Sequence, residues 1–175
     1  AEALRCAIPA YAAARSIDLA PVAAPIASLA QADAFGLVRI GRGVIQAQET
    51  DVFGRMRSEM FIGRVSDGVQ RLFGPSRPGP EPVEGQPAPR VGGAVLEYRV
   101  LTHAWPRAGD HVEVRSGFAG CSAKTRQVFH WMVDPVSGRP WSSAEAVVIS
   151  LDLDARKVVE ISEAAQAAYR EAAVA

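Results

Sequence analysis

The sequence is poor in the features that mark several large classes of protein. Its 175 residues include two cysteines, Cys6 and Cys121, too few for a disulfide framework, so we expect a reducing compartment such as the cytoplasm. Nineteen basic residues balance nineteen acidic ones, so no overall charge would attract the chain to nucleic acid or to an anionic membrane. No run approaches the roughly 18 apolar residues of a membrane-spanning helix.

Histidine is equally scarce. His103, His111 and His130 fall in different predicted strands, without the spacing of a zinc site, and we expect neither a metal nor a cofactor. Apolar residues, in contrast, make up 49% of the chain. This is enough to bury one hydrophobic core in one domain.

Composition divides the chain into segments. Residues 1–35 are rich in alanine and proline without a sustained period, which is typical of a leader or linker with room for one short helix. Residues 36–160 form the predicted domain, in which 74–90 is a loop too dense in proline for a helix or a central strand. Residues 161–175 predict a C-terminal helix that Ser162 caps.

The start of the domain predicts a strand with an irregularity. Val38, Ile40 and Val44 alternate with smaller residues, which favours a strand. Gly41 and Gly43 interrupt the pattern and indicate a β-bulge.

A long helix is predicted next, with Ser58 as its N-cap. Gly63 and Gly68 each weaken an isolated helix by about 1 kcal/mol relative to alanine, so we expect them to allow close packing of the helix on a sheet. The apolar residues of one face recur at helical spacing: Phe61, Val65, Val69 and Leu72.

Four strand-like segments follow the proline-rich loop: 94–103, 111–120, 124–133 and 140–153. The first and last connections between them hold the Pro, Gly and Asp of tight reversals, so we expect an antiparallel meander. A single long helix and about five antiparallel strands predict an α+β protein whose sheet curls around the helix to bury it. That arrangement is the hot-dog fold.

The stretch before the long helix carries a resemblance to a known family. In "DVFGRM", Asp51, Gly54 and Met56 stand as in the signature of the hot-dog thioesterases related to 4-hydroxybenzoyl-CoA thioesterase. That signature has a histidine where this chain has Arg55. The later stretches "RAGDHVEV" and "HWMVDPVSGRPWSSAEAVVISLD" are similar to a Gly-Asp turn and a closing hairpin of the same family, so the resemblance covers about residues 37–160.

The resemblance implies thioester hydrolysis with Asp51 as nucleophile or general base. Such a reaction needs a carboxylate and hydrogen-bond donors for the oxygen that becomes negative. A strand-to-helix turn supplies both, because the first N–H groups of the helix, near residues 57–59, lack partners within the helix. The alternative is that Asp51 is a turn residue whose carboxylate accepts backbone hydrogen bonds.

Two other acids compete with Asp51 for the catalytic role. Glu59 lies in the first helical turn, where it also suits the helix dipole. Asp67 corresponds roughly to the helix acid of a second branch of hot-dog thioesterases. Arg55 stays charged and only donates hydrogen bonds, so it cannot relay a proton as a histidine would; it either binds an anionic group of the substrate or is a solvated loop residue.

The remaining expected contacts are with an acyl-CoA substrate. Phe53 and Met56, at the entrance of the helix, are expected to line the acyl pocket. The full set of expected substrate-binding residues is Phe53, Gly54, Arg55, Met56, Ser58 and Phe61. The residues expected at the phosphates of coenzyme A are Lys124, Arg126 and Arg139.

An open sheet of this kind leaves edge strands, and members of the resembling family pair edge to edge. We therefore expect a homodimer or a dimer of dimers. The function predicted from the sequence is acyl-CoA thioesterase activity; the alternative is a hot-dog module that binds acyl thioesters, or assembles with another chain, without turnover.

Overall fold

The computed structural model describes residues 27–73, 85 and 90–173. Most of the predicted leader and nearly all of the proline-rich loop therefore lie outside the described residues. Within the described part, no helix is long and apolar enough to cross a membrane. The elements, in chain order, are α1 (Leu29–Ala34), β1 (Val38–Val44), a 3₁₀ turn (Ala47–Glu49), α2 (Ser58–Gly68), α3 (Gln70–Phe73), β2 (Val91–Thr102), β3 (His111–Cys121), β4 (Arg126–Val133), β5 (Pro140–Asp152), β6 (Lys157–Val158) and α4 (Glu163–Glu171).

The long strands form one antiparallel sheet in the order β1-β3-β4-β5-β2, and the short β6 pairs with the end of β5. The predicted curled sheet of five strands around a central helix is confirmed. The predicted meander of all four later strands is wrong, because β2 pairs with β5 and not with β3. The N–H groups of His103 and Ala104 still bind Trp141 O on β5 before the chain crosses to β3. Proline and glycine mark where a chain reverses but do not select the strand it joins.

The bulge predicted in β1 is confirmed. The pairing of β1 with β3 shifts between Arg39 and Gly41. Ile40, the residue at this shift, is 1% exposed and belongs to the core. The bulge thus coincides with the place where β1 meets the central helix.

The helix α2 lies on the sheet as its apolar face predicts, with Phe61 and Val65 buried. The prediction of Ser58 as N-cap is wrong: Arg57 holds the cap position without a side-chain hydrogen bond, and Ser58 is the first helical residue. The reason is that the Arg57 N–H is bound to Glu49 O at 2.9 Å, which keeps Arg57 extended. Of the two glycines, only Gly68 packs closely against the sheet.

The short helix α1 covers the opposite face of the sheet. It contributes Ala32 to a second apolar cluster with Leu37, Trp131 and Val133. Trp131 alternates along β4 with Met132, which belongs to the main core, so the two residues point to opposite faces. The predicted boundary at residue 36 therefore separates α1 from a sheet on which it packs.

The C-terminal helix α4 closes one end of the core. The hydroxyl of Ser162 accepts the Ala165 N–H at 3.3 Å, so the predicted cap is confirmed. Tyr169 of α4 packs on Phe118 of β3, with ring centroids 4.8 Å apart.

Candidate active site

The residues between β1 and α2 form a tight hairpin that presents Asp51. Thr50 and Met56 pair at its base, and the Asp51 N–H donates to Arg55 O at 2.8 Å. Gly54 closes the reversal with a φ of +72°, a backbone conformation that glycine adopts without strain. Asp51, Gly54 and Met56, whose spacing resembles the family signature, therefore also form a defined turn.

The carboxylate of Asp51 is held inside this hairpin. Oδ1 accepts the N–H groups of Phe53 at 2.8 Å and Arg55 at 3.0 Å, and Oδ2 lies 3.4 Å from Arg55 Nη2. The backbone N–H of Arg55 first, then that of Phe53 and the Arg55 charge, lower the pKa of Asp51 despite an opposing effect of burial. The side chain is 31% exposed, so Asp51 presents an ionised carboxylate to solvent at neutral pH.

Arg55 lies between two aromatic rings beside this carboxylate. Its guanidinium carbon is 5.0 Å from the centroid of Phe53 and 5.7 Å from that of Trp105. Phe53 is 69% exposed and Trp105 42% exposed, and Trp105 also packs edge-on against Phe61, centroid to centroid 5.8 Å. The hairpin thus carries a cation within an exposed aromatic surface, and cation and rings attract each other.

The N-terminus of α2 begins at the base of the same hairpin. Asp51 pairs with Arg55, Thr50 with Met56, and the Arg57 N–H with Glu49 O, so the helix starts two rungs from Asp51. Within the described residues no side chain caps α2, and the N–H groups of Ser58 and Glu59 make no hydrogen bond. The positive end of the helix dipole therefore lies at the base of the hairpin, two rungs of pairing from Asp51.

A partly buried ion pair fixes the base of the hairpin to α2. Arg64 binds both carboxylate oxygens of Glu49, with Nε 2.8 Å from Oε1, and the Gln46 N–H donates to Oε2 at 2.6 Å. Burial raises the pKa of Glu49, but the hydrogen bonds from Arg64 and Gln46 outweigh it and lower the pKa overall. Glu49 is therefore an ionised group that holds the hairpin in place.

The structure does not bring the three candidate acids together. Glu59 is 58% exposed and pairs with Arg57 at 3.0 Å. Asp67 lies exposed two turns further along α2, beside Arg71 and Arg42. Asp51 alone lies in the turn before the helix.

The predicted substrate-binding residues divide between surface and core. Phe53 is exposed, Arg55 is half-buried and Ser58 is exposed in the first turn of α2. Met56 and Phe61 are 0% and 2% exposed and belong to the core, so they do not form a surface that a substrate could reach in a single chain.

The predicted coenzyme A contacts are also separated. Lys124 is exposed before β4 and pairs with Glu160 at 3.3 Å. Arg139 follows the other end of β4 and lies 4.1 Å over the ring of Trp141. Arg126 is 3% exposed.

A basic cleft beside α2 was not predicted from the sequence. It has a volume of about 290 Å³, and Arg42, Arg64 and Arg71 lie around it with Asp67. Arg64 and Arg71 are seven residues apart, so they share one face of the helical region. A scan of the polar face of the predicted helix would have found this pair, but Arg42 reaches the cleft only through the pairing of β1. No cluster of metal-binding side chains was found among the described residues.

Comparison with solved structures identifies the fold. The probable thioesterase YbaW of Escherichia coli superposes with a TM-score of 0.61 and 11% identity, over 79% of this chain and all of that one. The 1,4-dihydroxy-2-naphthoyl-CoA thioesterase Slr0204 of Synechocystis gives 0.58 and 13%, over 75% and 94%. The protein SAV2348 of Staphylococcus aureus, solved in complex with CoA, gives 0.63 and 16%, over 78% and 87%. The fold is therefore the hot-dog fold.

A search of curated protein sequences gave no match. A family model for the thioesterase-like superfamily matches residues 45–169, a range that includes the Asp51 hairpin, α2 and strands β2 to β6. The chain belongs to the thioesterase-like superfamily.

Proposed function

We propose that the chain hydrolyses thioesters of coenzyme A and that Asp51 is the catalytic carboxylate. Membership of the superfamily supports thioester hydrolysis in general. The observation that carries the finer proposal is the hairpin itself, which presents an ionised and partly exposed carboxylate two rungs of pairing from a helix N-terminus without a side-chain cap.

The proposed chemistry divides between the carboxylate and the helix. Asp51 either attacks the thioester carbonyl or removes a proton from a water that attacks it. The N–H groups of Ser58 and Glu59 then stabilise the oxygen that becomes negative, as donors at a helix N-terminus do. The products are a free carboxylic acid and a thiol.

Arg55 has a positioning role in this proposal. Its charge and its backbone N–H favour the ionised form of Asp51, and the rings of Phe53 and Trp105 hold its guanidinium in place. Because a guanidinium does not release its proton in proteins, no proton passes through this position.

Two observations support coenzyme A as the thiol. Structures with the same fold include a naphthoyl-CoA thioesterase and a CoA complex. The cleft of Arg42, Arg64 and Arg71 lies next to the hairpin, because Arg64 itself binds Glu49. We propose this cleft for the phosphates, since arginines suit phosphate oxygens, in preference to Lys124 and Arg139, which lie apart.

The acyl group is proposed to lie on the aromatic surface of Phe53 and Trp105. Both rings are exposed and pack on Arg55, which in turn lies beside Asp51. Of the two residues expected from the sequence to line this pocket, Phe53 fits and Met56 belongs to the core.

We also propose a homodimer, or a dimer of dimers, formed through β2. This twelve-residue strand lies at one edge of the sheet and exposes about half the surface of Val95, Leu96 and Leu101. Long apolar edge strands favour pairing with a second chain. Light scattering should find at least a dimer, and Leu101→Lys should shift it toward the monomer; a monomer that retains turnover would contradict this proposal.

The contacts of Asp51 favour one alternative, a module that binds acyl thioesters without turnover. Oδ1 is shared by two N–H groups of its own hairpin, as in a residue that only stabilises a turn. The two functions are distinguished by incubating the protein with a panel of acyl-CoA esters and a thiol reagent. Release of coenzyme A supports the enzyme; binding of the esters, measured by calorimetry, without release supports the module.

A further inference from the structure

Arg126, the first residue of β4, is a buried cation that the proposed reaction does not use. Its side chain lies between Phe73 and Tyr169, 5.1 and 5.7 Å from their ring centroids. Nη2 donates to the hydroxyl of Ser150 at 2.8 Å, whereas Nε is buried and has no hydrogen-bond partner. The guanidinium thus keeps unused donor capacity.

Arg126 also lacks a counter-ion within the part of the chain that the structure describes. The partly buried arginines Arg64 and Arg115 pair with carboxylates, but no carboxylate among the described residues lies within ion-pair distance of Arg126. A buried charge is costly to leave unpaired. Among the described residues, therefore, no group compensates the charge of Arg126.

Arg126 and Ser150 line a pocket of about 290 Å³ between the helices α2 and α3 and the strands β2 and β5. This volume is near the lower limit for small-molecule sites, which suits one small compound. Most of the wall is apolar, including Val69, Phe73, Val91, Val95 and Val148.

We infer that this pocket binds a small carboxylic acid with a short apolar tail. The carboxylate accepts hydrogen bonds from Arg126, which presents N–H groups in a geometry that matches carboxylates. The tail packs against the valines and Phe73. An alcohol or an amine of the same length lacks the negative charge that the site requires.

The pocket is separate from Asp51. It contacts the C-terminal part of α2 and α3, whereas Asp51 precedes the N-terminus of α2. A carboxylic acid with an apolar tail is also the class of product that thioester hydrolysis releases. That connection rests on the proposed function, but the binding itself does not.

The test is calorimetric titration of the full chain with octanoate, and with octan-1-ol and octylamine as probes of equal length. Octanoate should bind and the other two should bind at least about tenfold more weakly. Arg126→Met should weaken octanoate binding on the order of tenfold or more, the scale of a lost hydrogen bond to a charged group. Arg170→Met, which removes a nearby exposed arginine of α4, should change it less than about twofold.

A second variant fills the pocket without touching the charge. Ser66 is exposed on α2 and lines the pocket, so Ser66→Trp should block octanoate while leaving the fold intact by circular dichroism. Equal binding of octanoate and octan-1-ol, no binding of octanoate, or unchanged binding in both pocket variants would overturn the inference. Asp51→Asn should bind octanoate normally, so loss of turnover with retained binding counts only against the proposed function, and turnover without binding only against this pocket.

Discussion

Gly68 of the central helix lies directly against the backbone of Ile40 in β1. A Cβ atom on Gly68 would stand 2.1 Å from the carbonyl oxygen of Ile40, whereas a Cβ on Gly63, in the same helix, would meet nothing within 4 Å. The packed helix therefore requires a glycine at position 68 but not at position 63, although both glycines weaken the helix as an isolated segment.

Alanine substitutions at the two positions should shift stability in opposite directions. Gly68→Ala forces the helix away from the sheet and should lower the free energy of unfolding by about 1–3 kcal/mol or more. Gly63→Ala should raise it by up to about 1 kcal/mol through helix propensity. Urea denaturation measures both, and equal effects would show that α2 does not pack on β1 at Gly68.

Tyr98 and Ser116 differ in how their hydroxyl groups are bonded. The Tyr98 hydroxyl makes no hydrogen bond within the described residues, and burial raises the pKa of Tyr98. Tyr98→Phe should leave thermal stability unchanged or raise the free energy of unfolding by about 1 kcal/mol, because no hydrogen bond is lost. Ser116→Ala is the contrast: it removes the partner 2.7 Å from His130 Nδ1 and should cost about 1–3 kcal/mol. A marked loss of stability in Tyr98→Phe would show that the Tyr98 hydroxyl does form a hydrogen bond.

Several parts of the fold were predictable from local sequence, whereas long-range pairing was not. The bulge at Gly41 and the cap at Ser162 follow from residues close in the chain, and both predictions hold. The position of β2 beside β5 depends on contacts between residues far apart in sequence. The assignment of Ser58 as the cap failed for a different reason, because the backbone bond from Arg57 to Glu49 O fixes the residue before it.

The candidate site divides in the same way. Asp51, Gly54 and Arg55 form a turn from neighbouring residues, so sequence spacing was sufficient to select them. Trp105 reaches Arg55 through the segment between β2 and β3, and no local pattern indicates that contact. The burial of Arg126 depends on its side chain pointing to the helix side of β4, which sequence reasoning did not address.

The buried imidazole of His130 predicts a dependence of stability on pH. Burial lowers the pKa of His130 to about 4, below the ordinary value near 6.5. As pH falls from about 6.5 to about 4, His130 binds a proton in the unfolded chain but not in the folded chain. The free energy of unfolding should therefore fall by up to about 3 kcal/mol.

Urea denaturation at intervals between pH 7 and pH 4.5 measures this slope, with His130→Asn as the comparison. The variant should lose most of the dependence in that window. The carboxyl groups whose pKa is lowered, at Glu49, Asp51 and Asp134, contribute stability that is lost only at lower pH. If His130→Asn left the pH dependence of the free energy of unfolding unchanged, His130 would not be its source.

The basic cleft predicts a substrate preference. Arg42→Ala combined with Arg71→Ala should raise KM for an acyl-CoA ester about tenfold, because contacts to phosphate are lost, while kcat stays similar. The same variant should act normally on an N-acetylcysteamine thioester, which has no phosphate. Lys124→Ala combined with Arg139→Ala is the matched control, because it removes the same number of positive charges. A larger rise in KM in that control would place the phosphate site at Lys124 and Arg139, as the sequence predicted.

The catalytic role proposed for Asp51 in thioester hydrolysis is tested by Asp51→Asn. Asparagine keeps an oxygen for the N–H groups of Phe53 and Arg55 but removes the charge. Asp134→Asn is the matched control, since Asp134 also accepts the N–H two residues ahead, in the β4–β5 hairpin.

The measurement is coenzyme A release from one active thioester by Asp51→Asn, Asp134→Asn, Glu59→Gln and Asp67→Asn, each shown to fold by circular dichroism. We expect a fall in kcat on the order of 10²-fold or more in Asp51→Asn alone. Near-normal turnover in Asp51→Asn together with its loss in Asp67→Asn would rule out Asp51 and assign catalysis to the helix acid.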